Sequence, residues 1–237
     1  MKLILRAAAA LAGGAIQLCA QQAIVNMPSA DITPKGGLFL MHESQWRPWN
    51  PDRSWYGTNF LAYGVGWNTE LAVTSYNTGT PAASNETIGF GFKTAVPLSG
   101  RNGGAREHKL TVGSMALASL TGKGMGNFSY AHYSFRLPKA KTRLTGGGWF
   151  GSEQLFLRKT GSVLAGAEHP LSKKVILLAE WFAGRHDLGF LIPGVLWHPT
   201  PKQFVVVAYK FPNQTANGKQ GLVLEYGITL GGTGNGH

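Results

Sequence analysis

Between Gly37 and Leu230, apolar side chains alternate with polar or small ones in runs of about ten residues, each closed by a turn signal. The pattern predicts strands over 37–46, 57–67, 69–77, 86–97, 107–119, 126–137, 141–152, 160–169, 173–184, 188–198, 202–211 and 219–230. Runs of this length suit strands that cross a bilayer, whereas a soluble sandwich favours strands of about 5–6 residues. The expected fold is all-β, a closed antiparallel transmembrane β-barrel of about twelve strands. An even count places both termini on one side, read as periplasmic.

The clearest strands sort their faces. Leu222, Leu224, Tyr226, Ile228 and Leu230 fall on one side and Val223, Glu225, Gly227 and Thr229 on the other. The same parity puts Val175, Leu177, Ala179 and Trp181 outside with Glu180 inside, and Ala131, Tyr133, Phe135 and Leu137 outside with His132, Ser134 and Arg136 inside. Around Leu38–Met41 and Leu188–Leu196 both faces are apolar, so parity assigns neither inside nor outside.

Short connections recur as Leu137-Pro138-Lys139, His169-Pro170-Leu171-Ser172-Lys173 and His198-Pro199-Thr200-Pro201-Lys202. Proline ends the ladder and sets φ for the turn. These read as periplasmic turns, and the stretches Arg47–Tyr56, Thr121–Gly126 and Phe211–Gln220 as extracellular loops. Outward aromatics then form two membrane-interface girdles: Trp67, Phe135 and Trp197 at one end, Trp181, Tyr209 and Phe211 at the other.

Residues 1–20 read as a cleaved signal peptide, with Lys2 and Arg6 ahead of the apolar stretch Ala7–Ile16 and a cleavage context at Gln17-Leu18-Cys19-Ala20. Leu18 stands where a lipidation site needs a small residue, and cleavage after Ala20 removes the single cysteine, so disulfide chemistry drops out. Residues 21–36 carry breaker residues and are expected as a short periplasmic lead-in, and residues 231–237 as a flexible glycine-rich tail. Losing Lys2 and Arg6 lowers the formal charge from +11 to +9. The cations sit at strand ends and turns with no basic stripe among stacking aromatics, which excludes a nucleic-acid partner. Outer-membrane lipids, small-molecule solutes and the barrel assembly machinery are the partners expected, in the outer membrane of a Gram-negative-type bacterium.

The leader, the alternating strands and the short proline-lysine turns resemble the bacterial outer-membrane β-barrel superfamily. Within it, Ala30-Asp31-Ile32-Thr33-Pro34-Lys35-Gly36 and the strand pair Val163–Ala183 are similar to small transporter-like barrels, including the phenol-degradation-pathway outer-membrane family. The resemblance implies an integral barrel, and no catalytic motif carries it. Members commonly end on an aromatic residue, whereas here Leu230 is followed by Gly231-Gly232-Thr233-Gly234-Asn235-Gly236-His237.

Parity turns Lys93, His132, Arg136, Arg143, Glu168, Glu180, Lys210 and Glu225 inward, a mixed-charge lining that must pair or meet water. About twelve strands imply a narrow, partly filled bore. These residues are therefore the selectivity candidates of a passive channel for small solutes, the function expected, with a non-conducting structural or adhesive barrel as the alternative. A third reading is a lipid-modifying esterase, because His132-Tyr133-Ser134 places a histidine and a serine on one face. Outer-membrane phospholipases and lipid A deacylases look similar there, but continue with asparagine where Phe135 stands, and parity turns this pair away from lipid. The chain is accordingly expected not to be an enzyme.

No closely spaced histidine pair such as His-x-x-x-His occurs, so no metal is expected. No cofactor is expected either: the glycine-rich segments lack the lysine and helix of a phosphate loop, and Gly146, Gly147 and Gly148 suit close packing in a wall. Trp46, Arg47, Trp49, Arg53, Trp55 and Tyr56 form an aromatic, basic loop suited to an interface or to stacking on a headgroup.

Overall fold

The computed structural model describes residues 22–49, 54–80, 86–98, 108–156, 160–186, 188–215, 218 and 220–232. The leader, Arg53 and the tail beyond Gly232 lie outside them. Twelve strands close into one barrel in which each strand pairs antiparallel with its chain neighbours and β1 pairs with β12. They are β1 Gly37–Trp46, β2 Trp55–Gly66, β3 Thr69–Thr80, β4 Thr87–Pro97, β5 His108–Ser119 and β6 Met125–Arg136, then β7 Arg143–Gly151, β8 Gly161–Pro170, β9 Val175–Phe182, β10 Phe190–Trp197, β11 Gln203–Pro212 and β12 Gly221–Gly231. Closure runs from Gly37↔Gly231 to Trp46↔Leu222 and removes every sheet edge.

One end, the turn end, carries the connections β2–β3, β4–β5, β6–β7, β8–β9 and β10–β11, all short except the ten residues between Pro97 and His108, and the opposite, loop end carries the other six. At the turn end, Trp67 and Asn68 both take positive φ (50° and 54°) and join β2 to β3 as a two-residue hairpin. Trp67 is therefore a turn residue, 92% exposed, rather than the last residue of a strand. The strand β3 runs past the expected end at residue 77 because a bulge interrupts the alternation: Asn59 pairs with Ser75 but Gly57 with Thr78, and Asn77 in between has φ 56°.

The outer face is a belt of exposed apolar side chains, among them Leu61, Val73, Phe90, Val112, Leu177 and Leu224. Water solvates such a continuous surface poorly, and hydrocarbon suits it.

Residues 22–36 do not form a lead-in outside the wall. They enter the bore, where Ile24, Val25, Met27 and Ala30 are almost fully buried. Two glycines leave the room this needs. A Cβ on Gly166 would stand 2.4 Å from Ile24 Cδ1, and one on Gly64 would stand 2.1 Å from the Pro34 carbonyl oxygen. Below this plug Phe39 stacks on Phe204 at 6.0 Å. The bore is packed like a protein core, and the segment's apolar residues supply part of that packing.

Candidate active site

The inward charges hold the plug. Glu180 accepts from the backbone N–H groups of Val25, Asn26 and Met27 at 2.9, 2.9 and 2.8 Å. Lys93 meets Glu70 at 3.2 Å and donates to both the carbonyl and the side chain of Gln22. Thr33 donates to Glu70 from its backbone N–H and its hydroxyl. Arg143 makes a two-pronged bond to Asp31 at 2.8 and 2.7 Å and another to Glu168 at 2.5 and 2.6 Å. Burial pushes the Asp31 carboxyl up, but Arg143, with Lys109 and Lys93, outweighs it and holds the group well below the usual carboxylate range. Lys210 donates to Gln45 Oε1, and Gln45 donates to Glu43 and to Asn26. Glu225 is fully buried opposite Glu43.

Seven of the eight expected lining residues are thus buried inside the wall, engaged in closing the bore or packed within it. Arg136 is the exception. It is half-buried at the turn end and donates to the Lys141 carbonyl of its own turn. The expected interface aromatics point outward: Trp181, Trp197 and Phe211 are exposed, and Phe135 and Tyr209 half-buried. Tyr209 packs between Trp49 and Phe211 at the loop end.

His132 and Ser134 are buried on the inner face as parity requires, yet no hydrogen bond joins them. The His132 ring lies against the Pro28 backbone of the plug and stacks on Tyr130. This pair has no nucleophile–base geometry and no route to lipid.

A second His-x-Ser pair has both. In β1 the inward residues are Phe39, Met41, Glu43 and Gln45, so His42 and Ser44 project outward. His42 Nε2 lies 2.9 Å from Ser44 Oγ. His42 Nδ1 lies 2.8 Å from Oδ1 of Asn59, directly opposite on β2, and Asn59 Nδ2 donates to Ser75 Oγ on β3 at 3.1 Å. Leu61 and Tyr63, which share the face of Asn59, and Leu71 and Val73, which share the face of Ser75, are exposed on the outer wall. Three adjacent strands therefore carry a polar line across an otherwise apolar surface.

The bonding fixes the protons. An amide oxygen only accepts, so Nδ1 of neutral His42 carries the hydrogen. Its Nε2 keeps a lone pair, and the Ser44 hydroxyl donates to it. A base hydrogen-bonded to a nucleophile, with a third group orienting the base, is the arrangement that activates a serine hydroxyl. An asparagine orients the ring without burying an ionised carboxylate in an apolar wall, where a charge is costly.

The surroundings are apolar below and aromatic above. Toward β12, Ser44 stands opposite Leu224 and His42 opposite Tyr226. Two residues nearer the loop end, about 7 Å along the strand, Trp46 pairs with Trp55. Ser44 itself is recessed, 8% exposed, while His42 and Asn59 lie open. Opposite Ser44 on β2 is Gly57, where a Cβ would touch the His42 and Trp55 rings at 3.4 Å. Among the described residues no three histidine, cysteine or acidic side chains group to hold a metal ion.

Sequence reasoning passed over this set because β1 begins with apolar residues on both faces. The signal was present: His42-Glu43-Ser44 repeats the spacing of His132-Tyr133-Ser134, and polar residues interrupt the outward apolar series at His42, Asn59 and Ser75.

No protein-family model matches the chain, and no curated protein matches it in sequence. Solved structures of similar architecture include the outer membrane protein Omp33 of Acinetobacter baumannii (9% identity, 84% of this chain and 99% of that one, TM-score 0.44). Another is the outer membrane phospholipase A of Escherichia coli, as an active-site mutant (11% identity, 85% of this chain and 92% of that one, TM-score 0.46). A third is the translocator domain of the autotransporter NalP of Neisseria meningitidis (14% identity, 82% and 88%, TM-score 0.38). The likeness is one of barrel architecture and assigns no activity.

Proposed function

We propose that this barrel lies in a bacterial outer membrane and is a serine esterase that cleaves acyl esters of membrane lipids at its outer wall. The bonded set Ser44, His42 and Asn59 on a lipid-facing surface carries this reading. As Ser44 Oγ attacks the ester carbonyl carbon, its proton passes to His42 Nε2, and the imidazolium then gives that proton to the departing alcohol oxygen. Water, deprotonated by the same nitrogen, attacks the acyl-enzyme; the fatty acid leaves and the proton returns to Ser44.

A lipid in the leaflet beside the loop end would lay its acyl chain along Leu40, Leu61 and Val73 and keep its headgroup near Trp46 and Trp55. Trp and Tyr belong at that level of a bilayer. The short proline-lysine turns and both described chain ends would then face the periplasm.

A passive solute channel draws no support from a bore filled by residues 22–36 and tied to the wall at Glu180, Arg143 and Lys93. The direct test is release of fatty acid from phosphatidylcholine in detergent micelles by the purified protein. Turnover that disappears in Ser44→Ala and persists in Ser134→Ala supports the proposal; turnover equal in Ser44→Ala and the parent ends it.

A further inference from the structure

We propose that Ser75 is a positioning residue that determines which end of the Asn59 amide faces His42; this rests on the esterase reading above. An amide has two unlike ends, and only one serves catalysis. With Oδ1 toward His42, the ring proton stays on Nδ1 and Nε2 can accept from Ser44. Turned over, the amide would offer an N–H to Nδ1, the ring proton would move to Nε2, and that nitrogen could no longer take the serine proton.

What holds the amide is a matter of local chemistry. Asn59 sits on a wall whose outward neighbours are Leu61 and Val73, and Ser75 is itself flanked across β4 by Ile88, exposed and apolar. Hydrocarbon offers no partner for an N–H. Ser75 Oγ supplies it, at 3.1 Å from Nδ2. Take the hydroxyl away and the orphaned N–H finds its nearest substitute acceptor in Nδ1 of His42, which is the unproductive arrangement.

The wall is built to keep Ser75 in place. Asn59 is held through its backbone as well, since the inward Thr74 hydroxyl donates to its carbonyl at 3.0 Å. Immediately above, the extra residue of β3 at Asn77 brings Thr78 opposite Gly57, where the Thr78 hydroxyl donates to the Gly57 carbonyl at 3.1 Å. A bulge of this kind fixes register and re-aims side chains next to functional sites. Here it locks the Asn59–Ser75 pairing against slippage.

Ser75→Val and Ser75→Thr test the idea, because the two differ only in a methyl for a hydroxyl and both suit a lipid-facing strand. Fatty-acid release from phosphatidylcholine micelles is measured for each, with heat-dependent gel mobility confirming the folded barrel. Ser75→Val should lower kcat about tenfold at unchanged KM, the loss of one orienting hydrogen bond, and Ser75→Thr should restore it. In an Asn59→Ala background there is no amide to orient, so Ser75→Val should change kcat by less than about twofold. Equal kcat in Ser75→Val and the parent overturns the proposal, as does an equal loss in the Asn59→Ala background. A parent protein without Ser44-dependent turnover overturns the esterase reading instead.

Discussion

Gly57 of β2 stands directly across the ladder from Ser44 of β1, and a Cβ placed there would meet the His42 and Trp55 rings, each at 3.4 Å. A larger side chain at this position must press on both rings and crowds the approach to Ser44. Gly57→Leu should therefore reduce kcat/KM for a long-chain lipid by about tenfold or more through exclusion of the ester from the site. Its reaction with a small fluorophosphonate should fall less. Parallel kinetics with the two reagents check this.

Asn59 orients His42 without a charge, so its removal is expected to cost less than the loss of a buried orienting carboxylate. Asn59→Ala should lower kcat about 10- to 100-fold and leave KM little changed. Steady-state assay in micelles reads both constants.

The plug makes a separate prediction about conduction. Planar-bilayer recording of the parent protein should show little current, since the bore is occupied by residues 22–36. Arg143→Ala leaves Asp31 and Glu168 without their shared partner and should destabilise the plugged state by about 3–5 kcal/mol, as breaking a buried ion pair does. Its expected signature is frequent openings, with esterase turnover retained.

Acid should act on the same anchor. The folded-state pKa of Asp31 is depressed, so the stability it contributes is present above its unfolded value near 4 and is lost as pH falls toward the folded one. Protection of the backbone amides of residues 22–31 against hydrogen exchange should therefore hold from neutral pH to about pH 5 and decline below about pH 4. A decline centred near pH 6–7 would place the loss at a group other than Asp31, such as the Glu180 carboxyl that accepts from Val25, Asn26 and Met27.

The barrel was legible because its wall is a repeating two-residue pattern, and face assignments for β6, β9 and β12 follow from parity alone. The end of β3 was misjudged where the Asn77 bulge breaks that parity. Plugging of the bore was not legible as topology, although Ile24, Val25 and Met27 are out of character for a solvated lead-in; only the wall's close approach at Gly64 and Gly166 shows where they go. The site was missed for a related reason. Parity gives faces only when one face is polar, and the apolar start of β1 hid the fact that His42 and Ser44 point outward, while Asn59 and Ser75 become neighbours only once the β1–β2 and β2–β3 registers are known.

In the proposed esterase, Ser44 is a nucleophile made reactive by His42. Labelling the detergent-solubilised protein with a fluorophosphonate and mapping the adduct by peptide mass spectrometry tests it most directly. A single modified serine is expected, Ser44, with labelling abolished in His42→Ala and unaffected in His132→Ala. An unmodified Ser44, or equal labelling with and without the His42 ring, would contradict it.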